Sequence, residues 1–340
     1  METRTLQSPP GILPLYARAA APMIPGASLL PFVPGRGGEI PEIELELDGV
    51  RPDPEKVAAY ARVCGFVLRD HLPPTYPHVL AFPLHMAVMA DGGFPFGAVG
   101  LVHIENRIVQ HQRIGSGEAL RIRVRPTKLE PHPKGRAFSL VTEVSVNGDT
   151  AWESTSTMLR RGNVSTTPGA DAEDGSRPDP SQPPRSGGKA DAASGEKPGA
   201  GAEWKLGGDL GRRYAAVSGD RNPIHMHSLS AKALGFPRAI AHGMWTKARC
   251  LAALESALPD AFSVEVRFRK PILLPAKVEF AAVADGGGTD FAVRDAKRDI
   301  PHLDGRFEPL EGQASASSSH RASSTGAVRE LDKAKDDERK

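Results

Sequence analysis

Two stretches of the chain alternate apolar and polar residues, and each follows apolar residues at helical spacing. In the first, Leu120, Ile122 and Val124 alternate with Arg121, Arg123 and Arg125, the pattern of a half-exposed strand. Val102, Ile104 and Val109 predict a strand before it. Phe138, Leu140, Thr142, Val144 and Val146 predict one after it, running to Asn147-Gly148 with a return strand over Thr150 to Leu159; Asn-Gly is a strong hairpin signal. Upstream, Ile43, Leu45 and Leu47 predict another strand. A helix is expected from Pro54 through Val57, Tyr60, Ala61 and Val63, stopping at Gly65. Thr75 to Pro83 reads as a proline-spaced loop, and Leu84 to Ala90 as a short apolar helix.

The second stretch repeats the scheme. Trp204 to Leu206 predicts a short strand, Leu210 to Val217 a helix, and Met244 to Leu258 a central helix burying Ala248, Leu251, Ala252 and Leu254. Phe262, Val264, Val266 and Phe268 then alternate with Glu265, Arg267 and Arg269. Val278 to Val283, Phe291 to Arg294 and Gly305 to Phe307 complete a sheet. The residues between the two stretches are Pro, Gly, Ser, Ala and charge, too poor in aliphatics to offset chain entropy. The expected layout is an extended N-terminal arm over 1–42, docking Leu13, Leu15, Tyr16 and Phe32; a first domain over 43–161; a disordered linker over 162–203; a second domain over 204–311; and a disordered tail over 312–340.

Composition narrows the function. The 340 residues carry a formal charge of +2 with both signs interspersed, so no nucleic-acid surface is expected. Cys64 and Cys250 lie far apart in helical patterns and read as buried, reduced thiols. No apolar run approaches the ~20 residues of a membrane span, and prolines interrupt Ile12 to Val33 where a signal peptide would need continuity. A cytoplasmic enzyme is expected.

Candidate chemistry concentrates in Tyr214 to Met244. Asp220 and His225 flank Asn222-Pro223. Pro223 fixes its own φ and biases Asn222 away from the helical region, so the two side chains project from a bent, stiffened loop. A carboxylate and an imidazole in one small volume suit the sharing of a water or a substrate proton. Gly243 falls where a helix begins, so its N–H could face a substrate carbonyl oxygen. Read from these residues alone, a helix cap and a core histidine fit Asp220 and His225 equally well.

The order Tyr214, Ala215-Ala216, Val217, Ser218, Gly219-Asp220-Arg221-Asn222-Pro223-Ile224-His225, five residues, then Ala231 resembles, without departure, the hydratase 2 signature of the MaoC-like, R-specific enoyl-thioester hydratases and dehydratases. The resemblance covers the second half directly, roughly Trp204 to Leu310. It implies an α+β double hot-dog fold, two domains in each of which an antiparallel sheet wraps a long helix. The catalytic domain would be the C-terminal one, since the first half has no such loop. It also implies interconversion of trans-2-enoyl and (3R)-3-hydroxyacyl thioesters of coenzyme A or acyl carrier protein. Asp220 and His225 would be the acid–base pair, Asn222 would stiffen the loop, Ser218 would support the pair, and the Gly243 N–H would receive the thioester oxygen. No cofactor or metal is implied. A homodimer of double hot-dogs is a possible assembly. A hot-dog thioesterase and a non-catalytic acyl-thioester-binding subunit are the alternatives.

Other features read plainly. His225 and His227 form an H-x-H pair but lack the further ligands of a zinc site. Gly286-Gly287-Gly288 is expected as a turn. His85, His103 and His111 read as surface or core residues, and His242 as a structural hydrogen-bonder at a helix start. The Arg121, Arg123 and Arg125 face reads as solvated; with Arg267 and Arg269 it is also a candidate contact for carrier phosphates.

Overall fold

The structure, a computed structural model, describes residues 1–21, 38–162 and 201–310. The expected linker and tail, and Phe32, fall almost wholly outside these residues.

The first half comprises β1 (Glu2–Leu6), α1 (Ile12–Ala20), β2 (Ile43–Val50), α2 (Pro54–Cys64), α3 (Tyr76–Met89), β3 (Leu101–Gln110), β4 (Leu120–Pro126), β5 (Glu130–His132), β6 (Gly135–Val146) and β7 (Asp149–Arg161). The second comprises β8 (Ala202–Leu206), α4 (Leu210–Ser218), α5 (Pro223–Met226), α6 (Ser228–Ala233), α7 (Gly243–Ala253), β9 (Phe262–Phe268), β10 (Ala276–Ala284), β11 (Thr289–Asp295) and β12 (Pro301–Pro309). Alternation set the strand faces: Leu120, Ile122 and Val124 are wholly buried, while the intervening arginines pair with Asp48, Glu46 and Glu143 at the surface. Asn147 and Gly148 both take positive φ, as the two-residue hairpin between β6 and β7 requires.

The strands form one sheet in the order β1-β2-β4-β6-β7-β3-β9-β12-β11-β10-β8. From the centre outward, β3-β7-β6-β4-β2 on one side mirrors β9-β12-β11-β10-β8 on the other. The halves therefore form a pseudo-twofold pair, joined through the antiparallel β3–β9 contact. Each half lays its sheet over a helix, α3 in the first and α7 in the second, and this is the double hot-dog architecture. Lys247 of α7 is fully buried and ties the join, donating to the Asn106 carbonyl and side-chain oxygens on β3 and to the Val264 carbonyl on β9. No helix among the described residues is long and apolar enough to cross a membrane.

Three expectations need correction. The N-terminal residues are not simply an extended arm: β1 adds in parallel to β2, and α1 follows. Leu15 and Ala19, four residues apart, bury one stripe of α1, and Pro14 sits in its first turn, where proline is tolerated. Leu13, expected to dock, is 70% exposed. Next, the predicted loop at Thr75 to Pro83 belongs to α3, which runs through Pro83. Proline normally breaks a helix by removing an N–H and crowding the preceding turn. Here burial of Ala81, Leu84, Met86 and Val88 outweighs that cost. Finally, α7 ends at Ala253, with a 3-10 turn over Glu255–Ala257 in place of the predicted last turn.

Candidate active site

The loop from α4 to α7 brings the predicted residues together. α4 ends at Gly219, whose φ of 77° reverses the chain after Ser218. The Ser218 hydroxyl donates to the Tyr214 carbonyl at 2.9 Å and accepts from the Asp220 N–H at 3.2 Å. The Asn222 side chain caps α5 by accepting from the Ile224 N–H, and Pro223 opens that helix. α4 and α5 lie so close that a side chain at Gly211 would overlap the His225 backbone.

His225 points its Nδ1 at the Ile240 carbonyl, 2.8 Å away. That contact makes Nδ1 the protonated nitrogen and leaves the Nε2 lone pair for the pocket. Burial holds the imidazole below its usual pKa, against the pull of Asp220 and the Ile240 carbonyl, so His225 rests neutral. The Asp220 side chain stays 27% exposed to the pocket. Burial alone would raise its pKa. His242, His225, the Asn222 N–H and the Tyr16 hydroxyl together outweigh that and hold it below the ordinary carboxylate range.

Two partners come from farther away. Tyr16 of α1 donates its hydroxyl to Asp220 Oδ1 at 2.8 Å and accepts from the Arg221 N–H at 2.8 Å. Burial and the Asp220 charge push this phenol well above its usual range, so it remains a donor. His242, the residue before α7, donates Nε2–H to the Asp220 carbonyl at 3.0 Å and stacks on His225 with ring centroids 3.6 Å apart. Burial, then His225, lowers the His242 pKa to about 3. His242 is thus the hydrogen-bonder expected at this helix start. Tyr16 was expected only to dock, because no local signal links positions so far apart in the chain.

Asp220, His225 and His242 present oxygen and nitrogen atoms within 4.8 Å of one another. This is the nearest approach to a metal-ligand group among the described residues; His227, the other member of the H-x-H pair, is exposed and apart from it. His225 and His242 each commit one nitrogen to a backbone carbonyl, which fixes ring orientation and tautomer.

Gly243 opens α7, and its N–H has no acceptor among the described residues. A Cβ there would meet the Phe268 ring at 3.0 to 3.2 Å. Asp220, His225, His242, Gly243 and Phe268 face one pocket of about 520 Å³. The opposite wall comes from the first half: Phe82 and Met89 of α3, Leu101 of β3, Leu140 of β6 and Met158 of β7. His78, His85 and His103 also line it; His85 is a satisfied core residue, as expected, buried and bonded to the Thr142 hydroxyl. His111 instead pairs with Glu153 outside the site. Lys134, Arg161, Arg267, Arg269 and Lys270 line the same pocket, with Arg267 paired to Glu105 and Arg269 to Asp304; Arg121 and Arg123 form their ion pairs away from it.

The MaoC like domain family matches residues 189–302. A curated relative, 3-hydroxyacyl-thioester dehydratase X of Mycobacterium tuberculosis, is 38% identical over 279 residues, 82% of this chain and 92% of that protein. The chain belongs to the MaoC-like dehydratase family. A crystal structure of the same relative, HtdX, superposes with a TM-score of 0.66 at 37% identity, covering 78% of this chain and all of that one. A MaoC-like dehydratase from Phytophthora capsici, 20% identical with a TM-score of 0.62, shares the fold over 81% of this chain and 98% of its own. Within this MaoC-like chain the pseudo-twofold sets Gly65, the left-handed stop of α2, against Gly219. The residue after it is Phe66, where the second half has Asp220, so the first half lacks the acid of the pair.

Proposed function

We propose that the chain adds water to trans-2-enoyl thioesters and removes it from (3R)-3-hydroxyacyl thioesters, with Asp220 and His225 as the acid–base pair. The observation that carries this is the pair itself: an ionised carboxylate and a neutral imidazole with a free Nε2, on one loop beside the Gly243 N–H.

The resting protonation states suggest the order of events. The thioester oxygen accepts from Gly243, at the positive end of α7, which stabilises the enolate formed when C2 carries charge. The water donates one hydrogen to Asp220, which stays ionised, and the other to His225 Nε2. As the water oxygen bonds to C3, His225 takes that hydrogen as a proton. The imidazolium, stabilised by Asp220, delivers it to C2. One O–H bond and the C2–C3 π bond break, C3–O and C2–H bonds form, and His225 returns to neutral. Dehydration is the reverse. Ser218, Asn222 and Tyr16 position the carboxylate without touching substrate.

Both new bonds form on the face of the enoyl plane turned toward this loop, which supports syn, R-specific addition. The cations at the pocket suit the phosphates of coenzyme A or of an acyl carrier protein. Free, buried Cys64 and Cys250 fit a reducing, cytoplasmic setting. The test is loss of enoyl absorbance from crotonyl-CoA, with a thiol-trapping dye as control for thioester hydrolysis. Absorbance loss without thiol release supports hydration. Thiol release matching the absorbance loss rejects it.

A further inference from the structure

The pocket wall opposite Asp220 and His225 carries polar groups that the reaction does not use. His78 and His85 sit two turns apart on one face of α3, with ring centroids 5.0 Å apart. His103 on β3 stacks near His78 at 6.3 Å and packs against Phe268 at 5.0 Å. Phe268 is the ring a side chain at Gly243 would touch, so the histidines lie one ring beyond the thioester oxygen's place. His85 Nε2 is satisfied by the Thr142 hydroxyl at 2.7 Å. His78 Nδ1 and His103 Nε2 are buried with no partner among the described residues. His78 is only 8% exposed.

Phe82, Met89, Leu140 and Met158 complete this wall. An unsubstituted hydrocarbon chain would satisfy those four and leave the imidazole nitrogens stranded. Buried polar atoms normally find a partner, and a site built to hydrogen-bond a substrate oxygen rejects the analogue that lacks it.

We propose that His78 and His103 form a second polar subsite that binds a hydroxyl or keto oxygen on the acyl chain, beyond C3. This rests on the acyl-thioester reading above and narrows its substrate class to oxygenated chains. Burial keeps all three imidazoles neutral, with His85 lowered to about 3 and His103 to about 4. His78 and His103 thus bring together one unsatisfied, uncharged nitrogen each, donor or lone pair according to tautomer. That pairing suits a hydroxyl or carbonyl better than a carboxylate, which would enter without a countercharge.

Equilibrium binding of saturated acyl-CoA thioesters tests the subsite without turnover. Decanoyl-CoA is compared with a positional series of its hydroxylated and keto forms, oxygenated beyond C3, on the full-length protein. One oxygenated position should bind about tenfold more tightly than the plain chain, the scale of one net hydrogen bond. His103→Phe and His78→Leu should bring that ratio toward one, and His103→Gln, which keeps a donor, should restore part of it. Plain decanoyl-CoA binding as tightly as every oxygenated form overturns the proposal, as does an oxygen preference unmoved in both apolar variants. The wild-type comparison stands alone if a variant fails to fold. Crotonyl-CoA hydration by the same preparation keeps the two readings apart: hydration without an oxygen preference removes the subsite, and an oxygen preference without hydration removes the reaction.

Discussion

Replacing Tyr16 by Phe isolates what α1 does for the site. The ring and its packing remain, and one oxygen with two hydrogen bonds, to Asp220 Oδ1 and from the Arg221 N–H, is removed. A hydrogen bond to a charged group is worth about 1.5–3 kcal/mol. The Tyr16 bond favours the ionised form of Asp220, so losing it raises that pKa. Asp220 is a depressed carboxylate. Its working form is present above its pKa and lost as pH falls through it. The acid limb of kcat/KM against pH should therefore move upward in Tyr16→Phe. The bond exists in ground and transition states alike, so the neutral-pH rate should fall only about tenfold through looser aim of the carboxylate. Crotonyl-CoA hydration across a pH series reads both effects, with thermal unfolding to show that α1 stays docked. An acid limb that does not move would refute the positioning role, whatever happens to the rate.

Asp220→Asn and His225→Ala should each lower kcat by at least ~10²-fold with little change in Tm, because both line an open pocket; steady-state kinetics beside thermal melts check this. Gly243→Val should push on Phe268 and misplace the oxyanion donor, costing on the order of 10²-fold in kcat/KM, measured with crotonyl-CoA. Lys247→Met should lower stability by roughly 2–4 kcal/mol, because three carbonyl oxygens at the β3–β9 join lose their donor; a urea midpoint equal to wild type would contradict the clasp. Buried His85 and His242 have pKa values lowered to about 3 from an unfolded value of 6.5. The unfolded chain then binds more protons as pH drops below about 6.5, so stability is lost on acidification, by roughly 2 kcal/mol per histidine at pH 5. Denaturant melts at pH 7 and pH 5 test the direction.

What was legible in the sequence was what local chemistry decides. Strands such as β4 and β9 show their buried faces by alternation, and the loop from Gly219 to His225 gathers its special residues within a few positions. What was not legible depends on distant partners. The proline and glycine content of the N-terminus hid the Leu15–Ala19 stripe of α1, and with it Tyr16. Pro83 suggested a loop because the neighbours that bury α3 come from β2, β4 and β6. The histidine group is divided between α3 and β3 and has no spacing to detect. Phe66 opposite Asp220 emerges only once the pseudo-twofold is seen.

The account rests on one loop handling both transfers, and hydration of crotonyl-CoA in deuterium oxide tests that most directly. With Asp220 and His225 on the same side of the enoyl plane, the product should be (3R)-3-hydroxybutyryl-CoA with C2 deuterium syn to the new hydroxyl, read by NMR of the product. An S-specific 3-hydroxyacyl-CoA dehydrogenase added to the assay should form no NADH while enoyl absorbance falls. Product of the 3S configuration, or deuterium anti to the hydroxyl, would contradict the account.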